Sequence, residues 1–385
     1  MKLRKDKWIN TKIEYLAKEV NERIPDLSKF QNERFIRPED LEVGEFYIKS
    51  FRSIEDTKSG KYCKTNDILF ARRSVSIEQF KKRSCIVLFD AICSDELTVI
   101  RQDNSSLQQS FLNLILNTSK LWDYAISLSV GSVSKRIKWD DLSNYEFPLP
   151  PLSEQKQIAA LFQSIETAME QVDGQEKNLK ALQKSLINGL LSKEPEFGNL
   201  LKSKNCTPTT FGEIAECDKK YPEHQNEVSR FVGLEFIEAE NFRLQGWGEI
   251  ANGTTFSKRF SKGDVLFGKR RAYLKKVAVA DFDGICSGDI LVIRAKAKKM
   301  LQGLLPYYIS SDAFFQHAVS TSAGSLSPRT KWKDLAELEI SIPDLKTQGK
   351  ILEVLQQLGN TVNQLKQQKA TLKNLKQKLL NEILG

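Results

Sequence analysis

The residues best suited to chemistry in this chain are cations, and they come in matched sets. Lys269, Arg270, Arg271, Tyr273 and Lys275 follow the strand-like run GDVLFG, and Arg72 and Arg73 follow the similar run NDILFA. From Lys258 to Lys276 there are eight basic residues and one acid, Asp264. A second set is Ser132, Ser134, Arg136 and Lys138, written again as Ser325, Ser327, Arg329 and Lys331. Guanidinium forks match phosphate oxygens and guanine edges bidentately, and a tyrosine ring stacks or hydrogen-bonds. Hydroxyls, amides and cations together suit backbone phosphates. The chemistry is recognition of a polyanion. A solvated charge run is the other reading of any single cluster, but recurrence at one place in both halves of a chain suits a defined groove.

Residues for bond-making chemistry are not arranged to do it. The chain has no G-x-x-x-x-G-K-[ST], H-E-x-x-H or G-x-S-x-G, and no G-x-G-x-x-G after a strand. Its two histidines, His224 and His317, lie in no metal or acid–base cluster, and its six cysteines lack a C-x-x-C pair. They read as small hydrophobes of a reducing compartment. No apolar run reaches membrane-spanning length and the N-terminus is charged, so a cytoplasmic protein is expected. The PDLK run at Pro343–Lys346 is similar to a nuclease carboxylate–lysine pattern, but it sits at a junction matched by Pro151 and Leu152 and reads as structural.

The elements that must position the cations are also written twice. Gly131–Leu152 reads GSVSKRIKWDDLSNYEFPLPPL, and Gly324–Leu345, 193 residues on, reads GSLSPRTKWKDLAELEISIPDL, with 11 identities in 22 positions. FDAICS at Phe89–Ser94 matches FDGICS at Phe282–Ser287 at the same offset, whereas NDILF at Asn66–Phe70 matches GDVLF at Gly263–Phe267 four residues further out. Upstream the halves diverge, and VGLE at Val232–Glu235 shows no clear twin. Short β-branched runs at 64–70, 86–100, 263–267 and 285–293 predict strands, and Leu107–Leu128 and Leu301–Val319 predict helices. Each half is therefore α+β, over residues 1–152 and 193–345. Trp139 and Trp332 are expected to pack at a helix start rather than stack on bases.

After each half comes a predicted helix of about 39 residues, roughly 60 Å long, over 153–192 and 346–385. Ile158, Ile165, Val172, Leu179 and Leu186 recur every seven residues, as do Ile351, Leu358, Leu365, Leu372 and Leu379. Leu161, Ala168 and Leu182, with Val354, Thr361 and Leu375, are assigned to a second stripe. Such a heptad favours a coiled coil, here antiparallel by pseudo-two-fold symmetry, over stripes that face separate domain cores. Gln175 and Gln368 would meet near its centre, and Ser153 and Thr347 are expected N-caps. Of the formal net charge of +9, the first helical segment carries −1 and the second +5.

These blocks, together with VGLEFIE (232–238), KGDVLFGKRRAYLKK (262–276), FDGICSGDILVIR (282–294) and PLPPLSEQKQIA (148–159), resemble the specificity subunit of type I restriction-modification systems along essentially the whole chain. SIPDLKTQGKI departs from PLPPLSEQ at Asp344, Lys346 and Thr347 but keeps Pro343, Leu345 and Gln348. The resemblance implies two pseudo-two-fold-related target recognition domains, each reading one half of a bipartite site in double-stranded DNA. It implies two spacer helices that act as a ruler and dock two modification methyltransferase subunits. Two restriction/translocase subunits complete the assembly. Cofactors are expected only in partner subunits, S-adenosylmethionine in one kind and ATP with Mg in the other; none is expected here, and no catalysis.

Two other functions stay open on sequence. A fused methyltransferase-nuclease would need an S-adenosylmethionine pocket and an Asn-Pro-Pro-aromatic motif, and the chain has neither. A structural coiled-coil adaptor would not read DNA, and its lack of salt-dependent DNA affinity would distinguish it.

Overall fold

The computed structural model describes residues 4–30, 33–54, 58–73, 83–131, 135–192, 194–217 and 228–385. The chain is mixed α+β and divides into two compact units, Met1–Gly174 with Lys366–Gly385, and Gln175–Leu365. The division falls inside the long helices, so each unit contains the start of one and the end of the other.

In the first unit, β1 (Ile9–Lys12), β2 (Ala17–Val20), β3 (Arg23–Ile24), β4 (Phe35–Ile36), β5 (Gly60–Cys63), β6 (Ile68–Ala71), β7 (Ser84–Ile86), β8 (Ala91–Cys93) and β9 (Leu97–Gln102) precede α1 (Gln109–Ile115), α2 (Ser119–Ser127), α3 (Trp139–Ser143) and β10 (Glu146–Leu149). The sheets run β2-β9-β6-β7, β3-β5-β8-β4 and β1-β10. All of β6 is buried: Ile68 and Phe70 enter one core, and Leu69 and Ala71 enter another. Period-two alternation thus lets one strand line two cores, so its sequence is apolar throughout.

The second unit repeats this plan. It contains β11 (Thr207–Thr210), α5 (Phe211–Ile214), β12 (Ala215–Cys217), β13 (Arg230–Val232), β14 (Gly248–Glu249), β15 (Lys258–Phe260), β16 (Val265–Gly268), β17 (Val277–Val279), β18 (Gly284–Cys286), β19 (Ile290–Ala295), α6 (Leu305–Ile309), α7 (Asp312–Ser320), α8 (Trp332–Ala336) and β20 (Glu339–Ile342). Val265 and Phe267 of β16 face one core and Leu266 the other. The two-strand sheet β11-β20 matches β1-β10 of the first unit.

Structure supplies the twin that sequence did not. β4 and β13 each add in parallel to the strand carrying the I-C pair, with Phe35 opposite Ile92 and Phe231 opposite Ile285. Each is followed by a 3-10 turn, Pro38–Asp40 and Leu234–Phe236. Ile36–Glu39 is therefore the counterpart of Val232–Glu235. The predicted single helices are each two, because Thr118 and Ser311 cap a second helix by accepting the N–H groups of Leu121 and Phe314. The strand readings at 86–100 and 285–293 likewise cover several short strands.

The long helices α4 (Leu152–Leu190) and α9 (Leu345–Leu384) have the predicted length. In the first unit Lys376 pairs with Glu166, and Lys369 lies 2.6 Å from Asp173. Seven residues forward on α4 is seven back on α9, so the two segments run antiparallel. In the second unit a Cβ on Gly359 would lie 3.9 Å from Gln183 Nε2.

Several details of the helical reading need correction. The buried seam joins the first stripe to positions four residues on, Phe162, Met169, Leu355 and Val362, rather than three; Leu182, Thr361 and Leu375 are exposed. Gln175 and Gln368 fall off the seam and are exposed, so they do not form a buried polar pair. Ser153 and Thr347 lie inside the first turns. Asp344 does the capping in α9, accepting the Thr347 N–H at 2.9 Å, whereas Pro151 begins α4 with only its carbonyl. Gly189 lets the following chain close over the end of α4: a Cβ there would stand 2.3 Å from the Glu196 carbonyl oxygen. No described helix is long and apolar enough to cross a membrane.

Candidate nucleic-acid interface

In the second unit, β16 delivers the basic loop and the segment before α8 meets it. The Lys269 N–H donates to the Asp289 carbonyl at 2.9 Å, the Thr330 N–H to the Lys269 carbonyl at 3.1 Å, and the Arg271 N–H to the Pro328 carbonyl at 2.8 Å. Arg270 and Arg329 face each other across an isolated antiparallel bridge. Two guanidinium groups so placed repel, and Asp289 resolves the conflict. Arg329 Nε donates to its Oδ1 at 2.7 Å, and Arg270 Nη1 approaches Oδ2 at 3.4 Å while Nη2 reaches Ser327 Oγ at 3.1 Å. The hydrogen bond from Arg329 and the two positive charges hold the Asp289 carboxyl below the usual carboxylate range. Both forks are thereby oriented before any ligand arrives.

The rest of the loop divides sharply. Arg271 and Lys275 adopt left-handed backbone, φ 53° and 51°, and flank a 3-10 turn that buries Ala272 and turns Tyr273 outward. Lys275 is tied to its own unit while partly exposed: its Nζ donates to Asp312 at 2.5 Å and lies 5.8 Å from the Phe315 ring centroid. Lys276 donates to the Leu234 carbonyl at 2.7 Å, and Lys258 is buried, donating to the Ile290 carbonyl at 3.0 Å. The eight-cation cluster is therefore partly internal scaffolding. Lys269 is half-buried, whereas Arg271, Ser325 and Lys331 are exposed. Leu326 between the serines is 89% exposed.

The first unit builds the same junction from other residues. The Ile137 N–H donates to the Arg72 carbonyl at 3.1 Å, and Arg73 bridges Arg136. Arg73 Nη1 lies 3.5 Å from Glu96, the residue 193 positions before Asp289. Arg72 donates to the Asp95 carbonyl at 3.1 Å and approaches Glu19 at 3.7 Å. Arg136 and Lys138 are exposed. Ser132 and Ser134 lie outside the described residues, as does His224. His317 is structural, its Nε2 2.8 Å from the Asp334 carbonyl oxygen, a place filled in the first unit by Tyr124 donating to the Asp141 carbonyl.

Sequence reasoning missed the acids Glu96 and Asp289; the signal was their shared position behind the FDxICS blocks. It also missed a second duplicated feature. The Arg230 guanidinium carbon lies 4.3 Å from the Trp247 ring centroid and 5.2 Å from that of Phe282, and Arg34 stands likewise 5.1 Å from Phe51 and 4.7 Å from Phe89. Phe51 and Trp247 are exposed, so each unit displays an arginine between two aromatic faces.

Comparison with known proteins gives the family. Residues 2–181 and 206–374 match the family described as type I restriction modification DNA specificity domain. The chain is 26% identical over 291 residues to the EcoDI specificity subunit of Escherichia coli, spanning 65% of this chain and 64% of that protein. It is 23% identical over 323 residues to the MjaVIII specificity subunit of Methanocaldococcus jannaschii, 76% of this chain and 73% of that one. Among solved structures, the HsdS subunit of Thermoanaerobacter tengcongensis aligns over 97% of this chain and 95% of its own at 18% identity and a TM-score of 0.50. The S subunit of M. genitalium aligns over 100% and 98% at 13% identity and a TM-score of 0.56. At those identities the structural likeness concerns the fold, while the sequence match covers both halves. The chain belongs to the type I restriction modification DNA specificity domain family.

Proposed function

We propose that this chain is the sequence-specific DNA-recognition subunit of a type I restriction-modification complex, with each compact unit reading one half of a bipartite double-stranded site. One observation carries this reading: each unit joins two arginines by the same backbone bridge, Arg73 with Arg136 and Arg270 with Arg329, and sets an acid at the equivalent position, Glu96 or Asp289, against the first of them, in units whose surrounding residues differ. Shared frameworks suit phosphate positioning, and private residues suit reading two different half-sites. Lys269, Arg271, Tyr273, Ser325, Ser327 and Lys331 in the second unit, with Arg72, Ser132, Ser134 and Lys138 in the first, complete the proposed contacts. Lys275, partly exposed and paired with Asp312, stands at their edge.

Family membership supports α4 and α9 as the ruler between half-sites and the platform for two modification methyltransferase subunits, with two restriction/translocase subunits completing the assembly. S-adenosylmethionine and ATP with Mg then act in those partners, and this subunit supplies specificity rather than catalysis. The domain limits proposed are 1–152 and 193–345 for the recognition domains and 153–192 and 346–385 for the spacers.

The test is a DNA titration. Changing Lys269, Arg270 and Arg271 to Ala should weaken binding to the second half-site by about 1–3 kcal/mol if one contact is a bidentate base pair. Log affinity should also fall with log salt at about −0.9 per phosphate neutralised. Unaltered affinity and specificity would remove the loop from the interface, and salt-independent binding would favour an adaptor.

A further inference from the structure

We propose that the charges along α4 and α9 make the two helices select each other and refuse copies of themselves. Within the first unit Glu166 and Lys376 form an ion pair with side chains only 2% and 5% exposed. Lys376 also donates to the Gly44 carbonyl, and its ammonium lies 3.9 Å from the Phe46 ring centroid. One heptad along, Asp173 and Lys369 pair at 2.6 Å, half-exposed.

The duplication does not repeat these charges. Offset by 193 residues, Gly359 stands where Glu166 does, Gln183 where Lys376 does, Lys366 where Asp173 does, and Glu176 where Lys369 does. In the second unit the layer of Gln183 and Gly359 is accordingly uncharged.

The consequence follows from register alone. If α4 packed on a second copy of α4 through the same seam, Glu166 would face Gln183 and Asp173 would face Glu176. If α9 packed on a copy of α9, Lys376 would face Gly359 and Lys369 would face Lys366. Each copy pairing strands a buried charge twice and sets like charges opposite each other. Breaking a buried pair is far more costly than never having built one, so the asymmetric layer discriminates between pairings even where it adds little net stability. A polar layer that fixes the partner in a coiled coil is the same device in its simplest form. A duplicated chain gains from it, because two helices with nearly the same apolar seam can otherwise also pair with copies of themselves, and tethering within one chain is then the sole bias against it.

The test uses the full chain in two differently tagged forms. Glu166→Lys and Lys376→Glu each oppose like charges within their own chain. Expressed together, the two variants can exchange helices and restore both pairs. Capture of one by the other should exceed capture between two copies of the same variant by roughly a hundredfold, and wild-type copies should not capture each other. The second arm changes nothing at the buried pair: Gln183→Lys and Glu176→Lys with Gly359→Glu and Lys366→Asp make both charged layers symmetric, and a Cβ at position 359 makes only an ordinary contact, 3.9 Å from Gln183 Nε2. Refolded together at high concentration, copies of this chain should capture each other where wild-type copies do not. Should the reversed chains not fold, this arm decides. Copy capture by the wild type, or a symmetric chain that captures its copy no more than wild type does, overturns the proposal.

Discussion

Arg329 Nε donates to Asp289 Oδ1 at 2.7 Å, and the same carboxylate lies 3.4 Å from Arg270. One acid therefore sets the direction of two forks that would otherwise splay apart, at the cost of one positive charge at the proposed phosphate surface. Asp289→Asn should raise the net charge while loosening both guanidiniums. Affinity for arbitrary duplex DNA should rise a few-fold, and its dependence on salt should steepen. Preference for the second half-site should fall. Paired titrations of cognate and scrambled duplexes check this; unchanged discrimination would show that Asp289 holds nothing that reads DNA.

Gln348 joins α9 to its unit. Its Oε1 accepts the Leu301 N–H at 3.0 Å, and its Nε2 donates to the Lys299 and Pro343 carbonyls at 2.9 Å. Gln155 makes the equivalent bonds with Gln108, Ser106 and Pro150 in the first unit. Both glutamines are fully buried. Gln348→Ala strands three backbone groups and should cost about 2–4 kcal/mol of stability. Gln348→Glu should cost no less, because a carboxylate keeps one accepting role and loses both donations. Denaturant melts of the two variants give the measurement.

Acid should loosen the joint between α4 and α7. The hydrogen bond from Lys275 holds Asp312 below the usual carboxylate range, and Asn188 adds a second bond at 2.9 Å. A carboxyl depressed in the folded state stabilises it above the unfolded pKa, and that contribution is lost as pH falls through the folded one. Melting temperature should therefore decline below about pH 4, and Asp312→Asn should flatten part of that decline while lowering stability at neutral pH. A variant whose acid limb is as steep as that of the wild type would assign the loss to other carboxylates.

The duplication and the two long helices were legible because apolar spacing and a fixed offset of 193 survive divergence. Other features were hidden for specific reasons. Leu161 and Phe162 are both apolar, so spacing could not choose between three and four residues for the second stripe; burial of Phe162 does. The seam is further disguised where it passes through Lys376, which reads as surface until its ammonium meets Glu166. Lys258 and its counterpart Lys61 hide in the same way, each buried with its amine on the carbonyl of Ile290 or Leu97. Asp289 reads as an ordinary turn residue, and only three-dimensional closure of two distant loops reveals the arginines it serves.

Lengthening α4 and α9 together tests the ruler. Seven residues inserted into each helix at facing layers keep the heptad seam in phase and add about 10 Å of rod. The half-sites should be read unchanged, because neither arginine bridge nor its acid is touched, while the gap between them should grow by up to about three base pairs. Insertion into one helix alone puts Glu166 and Lys376 out of register and should destabilise the chain instead of shifting its target. Methylome sequencing of a host carrying each variant with its methyltransferase partner reads the bipartite site directly. Unaltered spacing after the double insertion would mean that something other than these helices sets the distance.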